Sequence, residues 1–190
     1  MKKLLSTLAF GGILSEGDIR QFSSYFKEKV MKAGDFFQEY NGIAREIAFV
    51  EKGIVRLYSP DIDGNEITKY FIREGQFTVD LESYYTAKAS TESIQCVTDC
   101  TIYTISKSAI EKLSGEIPNL YIYIKTITEI SLLNKIKDND FLNFGDAKTK
   151  YREFLRRYPD LALLVPQQYI ASYLKITSQS LSRIRRDLRS

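Results

Sequence analysis

The chain has 190 residues, of which 44% are hydrophobic and 27% are charged, with a formal net charge of +3 at pH 7. This composition can bury a core in one large domain or two small ones, and it is too apolar for a disordered chain. The sequence contains no histidine, which excludes Ser-His-Asp and Cys-His nucleophiles and histidine-ligated metal sites. We therefore expect a binding protein rather than an enzyme, with no cofactor.

Three features of the sequence favour a cytoplasmic protein. The two cysteines, Cys96 and Cys100, are too few for a disulfide scaffold and are expected to be thiols in the core. The N-terminal lysine pair and apolar stretch have some features of a signal peptide, but residues 15–18 follow as a Ser-x-x-Asp helix start. Apolar side chains then recur at helical spacing over residues 19–26, which predicts an amphipathic N-terminal helix. No apolar run reaches the roughly 18 residues that cross a membrane.

Charge is distributed unevenly along the chain. Residues 148–190 hold ten Lys and Arg against three Asp and Glu, a net charge of +7. Residues 1–147 hold 17 against 21, a net charge of −4. A basic C-terminal module on an acidic body predicts a polyanionic partner.

Glycines divide the first half of the chain, because four of them follow each other at intervals of 11 residues from Gly42 to Gly75. A further pair of strands is expected between residues 93 and 105, and a short helix over residues 77–85. Short strands separated by turn signals about every 8–12 residues predict an all-β sandwich, barrel or roll. The β-type segments between the glycines are residues 47–50, 54–58 and 67–72.

After these strands the pattern becomes helical. Residues 106–113 form a short predicted helix closed by Gly115, and Pro118 is typical of the first turn of the long helix that follows. The long helix carries an apolar stripe that needs two surfaces, its own β domain and the same helix of a second subunit. The stripe predicts a homodimer, with a helix wedged inside a monomer as the alternative. The residues assigned to the dimer contact are Leu120, Ile124, Ile127 and Ser131.

The last part of the chain splits into three predicted helices, at residues 146–157, 166–174 and 177–188. The first ends before Pro159, the second begins with Pro166, and the third has Thr177 as its cap. Only Lys175 and Ile176 separate the last two helices, and two short helices joined this closely form a helix-turn-helix. Since the turn commonly holds a glycine in the left-handed region, Lys175 is expected there at a cost on the order of 1 kcal/mol.

The third helix has an apolar face for the core and an opposite face that is polar and basic. The base-contact candidates on that face are Ser178, Gln179 and Arg183, because the first residues of a recognition helix enter the major groove. Together with the charge asymmetry, this face favours double-stranded DNA as the partner over a three-helix bundle with a solvated basic surface. The phosphate-contact candidates are Tyr169, Lys175, Thr177, Ser180, Arg185 and Arg186.

Several stretches carry a resemblance to a known family: residues 49–58, 151–161, 165–177 and 181–186. With these stretches, and with a β-roll followed by a long helix and a helix-turn-helix, the chain resembles the Crp/Fnr family of bacterial transcription regulators, the relatives of the catabolite activator protein. The resemblance implies an α+β fold with a cyclic-nucleotide-binding-type, jelly-roll-like β-roll (1–115), a dimerisation helix and hinge (116–142) and a helix-turn-helix domain (143–190). It also implies a homodimer that reads palindromic DNA sites, with RNA polymerase as a further partner.

The effector pocket departs from the family members that bind cyclic AMP. Those members place a Gly-Glu pair after the strands and an Arg-Ser pair later, whereas this chain has Gln76 after Gly75 and, near the arginine position, Ser90. A cyclic phosphate needs a fixed cation or several aimed N–H groups, so we expect no response to cyclic AMP. The two cysteines are too few for an iron–sulfur cluster, and haem lacks its usual histidine. The candidate effector residues are Gln76, Asp80, Lys88, Ser90 and Thr91, in a pocket expected to be lined by Tyr, Phe and Ile.

A second departure concerns the end of the chain. Family members usually continue past the recognition helix into a two-stranded wing, whereas this sequence ends at Ser190. We expect the loss of the wing's phosphate contacts either to weaken DNA binding or to shift those contacts onto the arginines of the last helix. The alternative function is a small-molecule sensor or interaction module, whose β-roll holds a ligand and whose DNA binding is weak.

Overall fold

The structure is a computed structural model that describes residues 1–188, leaving out the side chain of Asn139. The strands in this range are Lys27–Met31 (β1), Phe36–Gln38 (β2), Glu46–Lys52 (β3), Val55–Pro60 (β4), Glu66–Ile72 (β5), Phe77–Thr78 (β6), Ser93–Cys96 (β7) and Cys100–Ser106 (β8). The α-helices are Lys2–Leu8 (α1), Glu16–Ser24 (α2), Leu81–Thr86 (α3), Lys107–Glu116 (α4), Leu120–Asn143 (α5), Ala147–Arg157 (α6), Pro159–Leu164 (α7), Gln167–Tyr173 (α8) and Ser178–Asp187 (α9), and a short 3-10 helix covers Phe10–Gly12.

These strands form two four-stranded antiparallel sheets, in the orders β1-β8-β3-β6 and β2-β7-β4-β5. In the first sheet Val50 lies opposite Ile102, and in the second Leu57 lies opposite Ile94. All four side chains belong to one buried apolar cluster of the roll. Because each sheet buries one face and is followed by helices, the predicted α+β fold with an N-terminal β-roll is confirmed.

The turn between β3 and β4 requires a glycine. Gly53 has a φ of +99°, and a Cβ atom at this position would lie 2.6 Å from the carbonyl oxygen of Asp99. Any larger residue would therefore strain the backbone and displace the neighbouring strand. Cys100 follows Asp99, and like Cys96 it is a buried free thiol, as the sequence predicted.

Local capping places the N-terminal helices. The Ser15 hydroxyl accepts the backbone N–H of Asp18, and the Asp18 carboxylate accepts the backbone N–H of Ser15, so the predicted helix start is confirmed as a capping box. Leu4 and Leu8 of α1 are fully buried against the roll. Within residues 1–188, no helix is both long enough and apolar enough to cross a bilayer.

Several elements differ from the sequence prediction, and strands β1 and β2 were not predicted at all. The helix predicted over residues 77–85 begins only at Leu81, where Asp80 caps it, because strand β6 pairs with β3 just before it. Gly115 lies inside α4 rather than closing it. Pro159 opens the unpredicted helix α7, since a proline in the first turn of a helix loses no hydrogen bond.

Helix α5 packs on its own roll through residues that the sequence analysis assigned to the dimer contact. Leu120 is fully buried, with Tyr123, in a cluster that joins α5 to the N-terminal helices and the first sheet. Ile124 and Ile127 are half-buried against the same cluster, and Ser131 is exposed. The assignment of Leu120 to a subunit contact is wrong, because its side chain has no free surface in this arrangement.

The C-terminal helices pack on the outer edge of strand β5, which is the last strand of its sheet. The Ser172 hydroxyl of α8 accepts the Thr68 N–H and donates to the carbonyl oxygen of Glu66, both at 2.9 Å. The rings of Phe71 and Tyr173 meet edge to face, with their centroids 5.3 Å apart. Helix α8 thus covers backbone groups that an edge strand would otherwise leave unpaired.

Replacing Ser172 with alanine removes the acceptor of the Thr68 N–H. We expect this amide to exchange about fivefold faster, which corresponds to a loss of about 1 kcal/mol of protection. Hydrogen–deuterium exchange resolved to β5 measures the change, and Ser182→Ala on the exposed face of α9 is the matched control. Unchanged exchange in β5 would show that α8 does not protect this edge.

Candidate nucleic-acid interface

The turn between α8 and α9 is closed by backbone hydrogen bonds. Lys175 N–H donates to the Ser172 carbonyl oxygen and Ile176 N–H to that of Ala171, both at 3.0 Å. Lys175 has a φ of +58°, which confirms the predicted left-handed residue. Thr177 then caps α9, because its hydroxyl accepts the first-turn N–H of the helix at 3.1 Å. Helices α8 and α9 are therefore held as one compact helical pair.

The helical pair α8–α9 is fixed by a small apolar core. Leu181 is the side chain of α9 that is fully buried, and it contacts the cluster formed with the other C-terminal helices. Because Leu181 faces inward, the side chains on the opposite side of α9 face solvent. The buried residues of α8 and its C-terminal cap are Ile170, Ala171, Tyr173 and Leu174.

The outward face of α9 is polar and basic. Ser178, Gln179 and Arg183 are all exposed, so the three predicted base-contact residues share one open surface. Ser182 is exposed on the same helix, and the Arg186 side chain is 79% exposed. Guanidinium and amide groups presented in this way can form paired hydrogen bonds with base edges, and they can also bind phosphate.

The predicted phosphate contacts divide into exposed and engaged residues. Lys175, Thr177 and Arg186 are exposed. Ser180 is half-buried. Its hydroxyl lies 2.9 Å from the hydroxyl of Thr177, so these two groups form a hydrogen bond with each other at the start of α9.

Arg185 faces inward and joins α9 to the other C-terminal helices. Its Nε donates to the Tyr151 hydroxyl at 2.9 Å, and its other nitrogens lie 3.4 Å from the Ala162 carbonyl oxygen and 3.5 Å from Gln167. The guanidinium is half-buried. This position corrects the assignment of Arg185 as a phosphate contact, because its hydrogen bonds hold the helices together.

Tyr169 is engaged with the roll. The guanidinium carbon of Arg56 lies 3.5 Å from the centroid of the Tyr169 ring and 4.1 Å from that of Tyr58. Arg56 is fully buried and donates hydrogen bonds to the side chains of Gln95 and Glu66. The assignment of Tyr169 as a phosphate contact is corrected accordingly. Sequence reasoning missed Arg56, because a single arginine in a strand is normally taken to face solvent.

The predicted effector residues are not gathered around one pocket. Asp80 and Ser90 are buried and hydrogen-bonded to each other, and Asp80 also caps α3. Lys88 and Thr91 are exposed, and Gln76 lines a cavity in which the other four take no part. Asp80, Lys88, Ser90 and Thr91 thus lie near one another, whereas Gln76 lies on a different cavity, and their role as an effector site stays a prediction.

Two adjoining cavities lie between the roll and α5. One, of about 280 Å³, is mainly apolar and is bounded by the roll, α3 and α5. The other, of about 310 Å³, lies between β5, α5 and the C-terminal helices. Tyr70, Ile72 and Phe77 line both, and these are the residue types expected for the pocket. Among the described side chains, no three Cys, Asp or Glu residues are grouped to hold a metal ion.

The roll has counterparts among known proteins. Residues 28–116 match the family model described as a cyclic nucleotide-binding domain. The match begins in β1 and ends with α4, so α5 and the C-terminal helices lie beyond this domain. No curated protein sequence matches the chain.

Several solved structures are similar to most of the chain, including its C-terminal part. FixK2 from Bradyrhizobium japonicum has a TM-score of 0.70 at 19% identity, covering 86% of this chain and 84% of its own. The catabolite activator protein of Thermus thermophilus has a TM-score of 0.59 at 18% identity, covering 96% and 86%. A structure described as a Crp/Fnr-family transcriptional regulator from Eubacterium rectale has a TM-score of 0.74 at 14% identity, covering 97% and 88%. The predicted resemblance to the Crp/Fnr regulators is thus confirmed in the fold.

Replacing Arg185 with methionine should destabilise the C-terminal helices by about 1–3 kcal/mol, because buried acceptors lose their donor. Urea unfolding followed by far-UV circular dichroism measures the free energy of unfolding. Arg186→Met, on the exposed side of the same helix, is the matched control and should change that free energy by less than about 0.5 kcal/mol. Equal effects of the two variants would mean that Arg185 has no structural role.

Proposed function

We propose that the protein is a DNA-binding transcription regulator of the Crp/Fnr type, which acts in the cytoplasm as a homodimer on palindromic sites and does not respond to cyclic AMP. The observation that carries the proposal is the outward face of α9, where Ser178, Gln179 and Arg183 are exposed together on a capped helix that follows a tight turn. The fold and the +7 charge of residues 148–190 support the same function.

Helix α9 acts as the recognition helix of a helix-turn-helix. Its first turn enters the major groove, where Arg183 holds the O6 and N7 acceptors of guanine and Gln179 pairs with adenine. Lys175 and Arg186 flank that surface and bind phosphates on either side of the groove. The phosphate contacts fix the register of the helix on DNA, and the base contacts provide the sequence preference.

An exposed apolar surface on α5 supports the homodimer. A helix of 24 residues is about 36 Å long, and the apolar side chains that the roll does not cover lie along its outer side. Two copies of this surface in contact would remove them from water and pair the two recognition helices on a two-fold axis. The side chains, each at least 50% exposed, are Tyr121, Ile122, Leu132, Leu133 and Ile136.

The buried Asp80–Ser90 pair supports the absence of a cyclic AMP response. Ser90 stands near the position where cyclic AMP-binding relatives carry an arginine, and here its hydroxyl donates to the Asp80 carboxylate. A buried carboxylate beside the place of a cyclic phosphate repels it, and no cation offsets the repulsion at these two residues. An effector of different chemistry is therefore expected for the roll.

Replacing Arg183 with alanine should remove the preference for one base pair in each half-site, at a cost of about 1–3 kcal/mol on the preferred sequence. Replacing Arg186 with alanine should instead weaken binding to all sequences alike and lower the salt dependence of the affinity. Footprinting and gel shifts on genomic fragments, followed by randomised half-sites, separate the two effects. If Arg183→Ala leaves the sequence preference unchanged, the base-contact assignment is wrong.

The double substitution Leu132→Lys and Ile136→Lys should weaken dimerisation at least about tenfold, because it places charges in the apolar contact. Sedimentation equilibrium over a range of concentrations measures the dissociation constant. Leu163→Lys is the matched control, since Leu163 is an 85% exposed apolar residue on α7, away from α5. Dimers of undiminished stability in the double variant would contradict the assigned surface.

A second candidate function is a small-molecule sensor or interaction module with weak DNA binding. It is favoured by the engagement of Tyr169 with Arg56 and of Arg185 with Tyr151, which leaves two predicted phosphate contacts inside the protein. A chain that retards no genomic fragment at low salt, yet keeps a ligand through purification, would support this candidate over the regulator.

A further inference from the structure

The cavity of about 310 Å³ is lined by residues of the roll, of α5 and of the C-terminal helices. Strand β5 and the residues after it form one wall, α5 forms another, and Tyr158, Leu161 and Tyr173 of the C-terminal helices close it. It joins the apolar cavity through shared lining residues, among them Tyr70 and Lys135. A cavity of about 310 Å³ that contains cationic side chains thus adjoins a more apolar one of about 280 Å³, and their sizes are close to those of small-molecule sites.

Two cations line the 310 Å³ cavity, and neither forms an ion pair with the residues that the structure describes. The Lys135 ammonium is half-buried and lies 4.4 Å from the centroid of the Tyr70 ring. The Arg73 guanidinium lies 5.0 Å from the centroid of the Tyr158 ring. Burial lowers the pKa of Lys135, since the charged form is partly removed from water. Both cations are held against aromatic rings with their hydrogen-bonding capacity unused.

The nearby carboxylates are already engaged. Asp138 lines the same cavity, but it accepts a hydrogen bond from the Tyr158 hydroxyl and lies 3.5 Å from Arg157. Glu92 is paired with Lys69 at 2.6 Å. The Glu92 charge raises the pKa of Lys135 in opposition to burial, but neither Glu92 nor Asp138 forms a direct ion pair with Lys135 or Arg73, which leaves room for an anionic ligand.

We propose that the joined cavities bind an amphipathic organic carboxylate, with its carboxylate held by Lys135 and Arg73 and its apolar body in the 280 Å³ cavity. The apolar walls around Leu57, Ile72 and Phe77 accept a hydrocarbon chain. Lys135, which lines both cavities, and Arg73, which lines the 310 Å³ cavity, select its charged end. A charge-assisted contact that desolvates both partners distinguishes such an acid from a neutral alcohol of the same length.

A ligand in this place contacts the roll, α5 and the C-terminal helices together. It therefore stabilises the docking of α8 on β5, because it adds contacts that exist only while the domains are joined. The inference deepens the sensor role of the roll within the proposed function. It is tested without DNA, so that its failure is distinguishable from a failure of DNA binding.

The test uses the full chain with octanoate and octan-1-ol as probes, in isothermal titration calorimetry and thermal unfolding. Octanoate should bind at least about tenfold more tightly than octan-1-ol and raise the unfolding temperature. Lys135→Met and Arg73→Met should each weaken octanoate binding about tenfold and leave octan-1-ol binding within about twofold. Lys125→Met is the matched control, because Lys125 is exposed on the same helix and lies 3.9 Å from Glu129.

Several outcomes would overturn the proposal. Equal affinity for octanoate and octan-1-ol would mean that the site binds apolar chains without selecting a negative charge. Octanoate binding that survives Lys135→Met and Arg73→Met, or falls equally in Lys125→Met, would place the ligand elsewhere. No heat and no thermal shift with octanoate up to about 10 mM would show that carboxylates of this kind do not bind. Lys135→Met removes a partly buried unpaired cation, so it should fold at least as stably as the parent chain, and Arg73→Met gives a second, independent measurement.

Discussion

The arrangement of this protein depends on one buried guanidinium. Arg56 lies fully inside the molecule, between the rings of Tyr58 and Tyr169, and bonds the side chains of Glu66 and Gln95. A charge in this environment is tolerated only when partners surround it, and those partners come from three strands of the roll and from α8. The contact therefore holds the helical pair α8–α9 in one orientation on the second sheet.

The contact between Arg56 and Tyr169 also determines which surfaces of the C-terminal helices remain exposed to solvent. With α8 covering the edge of β5, Tyr169 is withdrawn from solvent, whereas α9 keeps its polar face open. The seam between the domains also encloses the cavity lined by Lys135 and Arg73. A ligand in the cavity and a nucleic acid on α9 would thus act on the same joint, because α8 packs on the roll and α9 packs on α8.

Much of the local structure follows from short-range chemistry. The capping box at Ser15 and Asp18, the Thr177 cap and the left-handed Lys175 were all predicted, because each depends on residues within a few positions. Strands β1, β2 and β6 and helix α7 were missed. Strand β6 has only two residues and forms through its pairing with β3, so its own sequence does not predict it. Pro159 was interpreted as the end of a helix, but a proline is equally common in the first turn of a helix.

The sequence by itself determined the architecture and the exposed polar face of α9, because hydrophobic periodicity, turn residues and charge asymmetry are local or additive properties of the chain. Only the tertiary structure decided which polar residues are available. Arg185 carries the same guanidinium group as Arg183, yet it donates a hydrogen bond to Tyr151. Tyr169 carries a hydroxyl that could bind phosphate, yet its ring packs on Arg56 from a distant part of the chain. Likewise the sequence pattern assigned Leu120 to the subunit contact, whereas in the folded protein the side chain is fully buried. Such outcomes depend on long-range contacts, which no pattern within a single helix or strand contains.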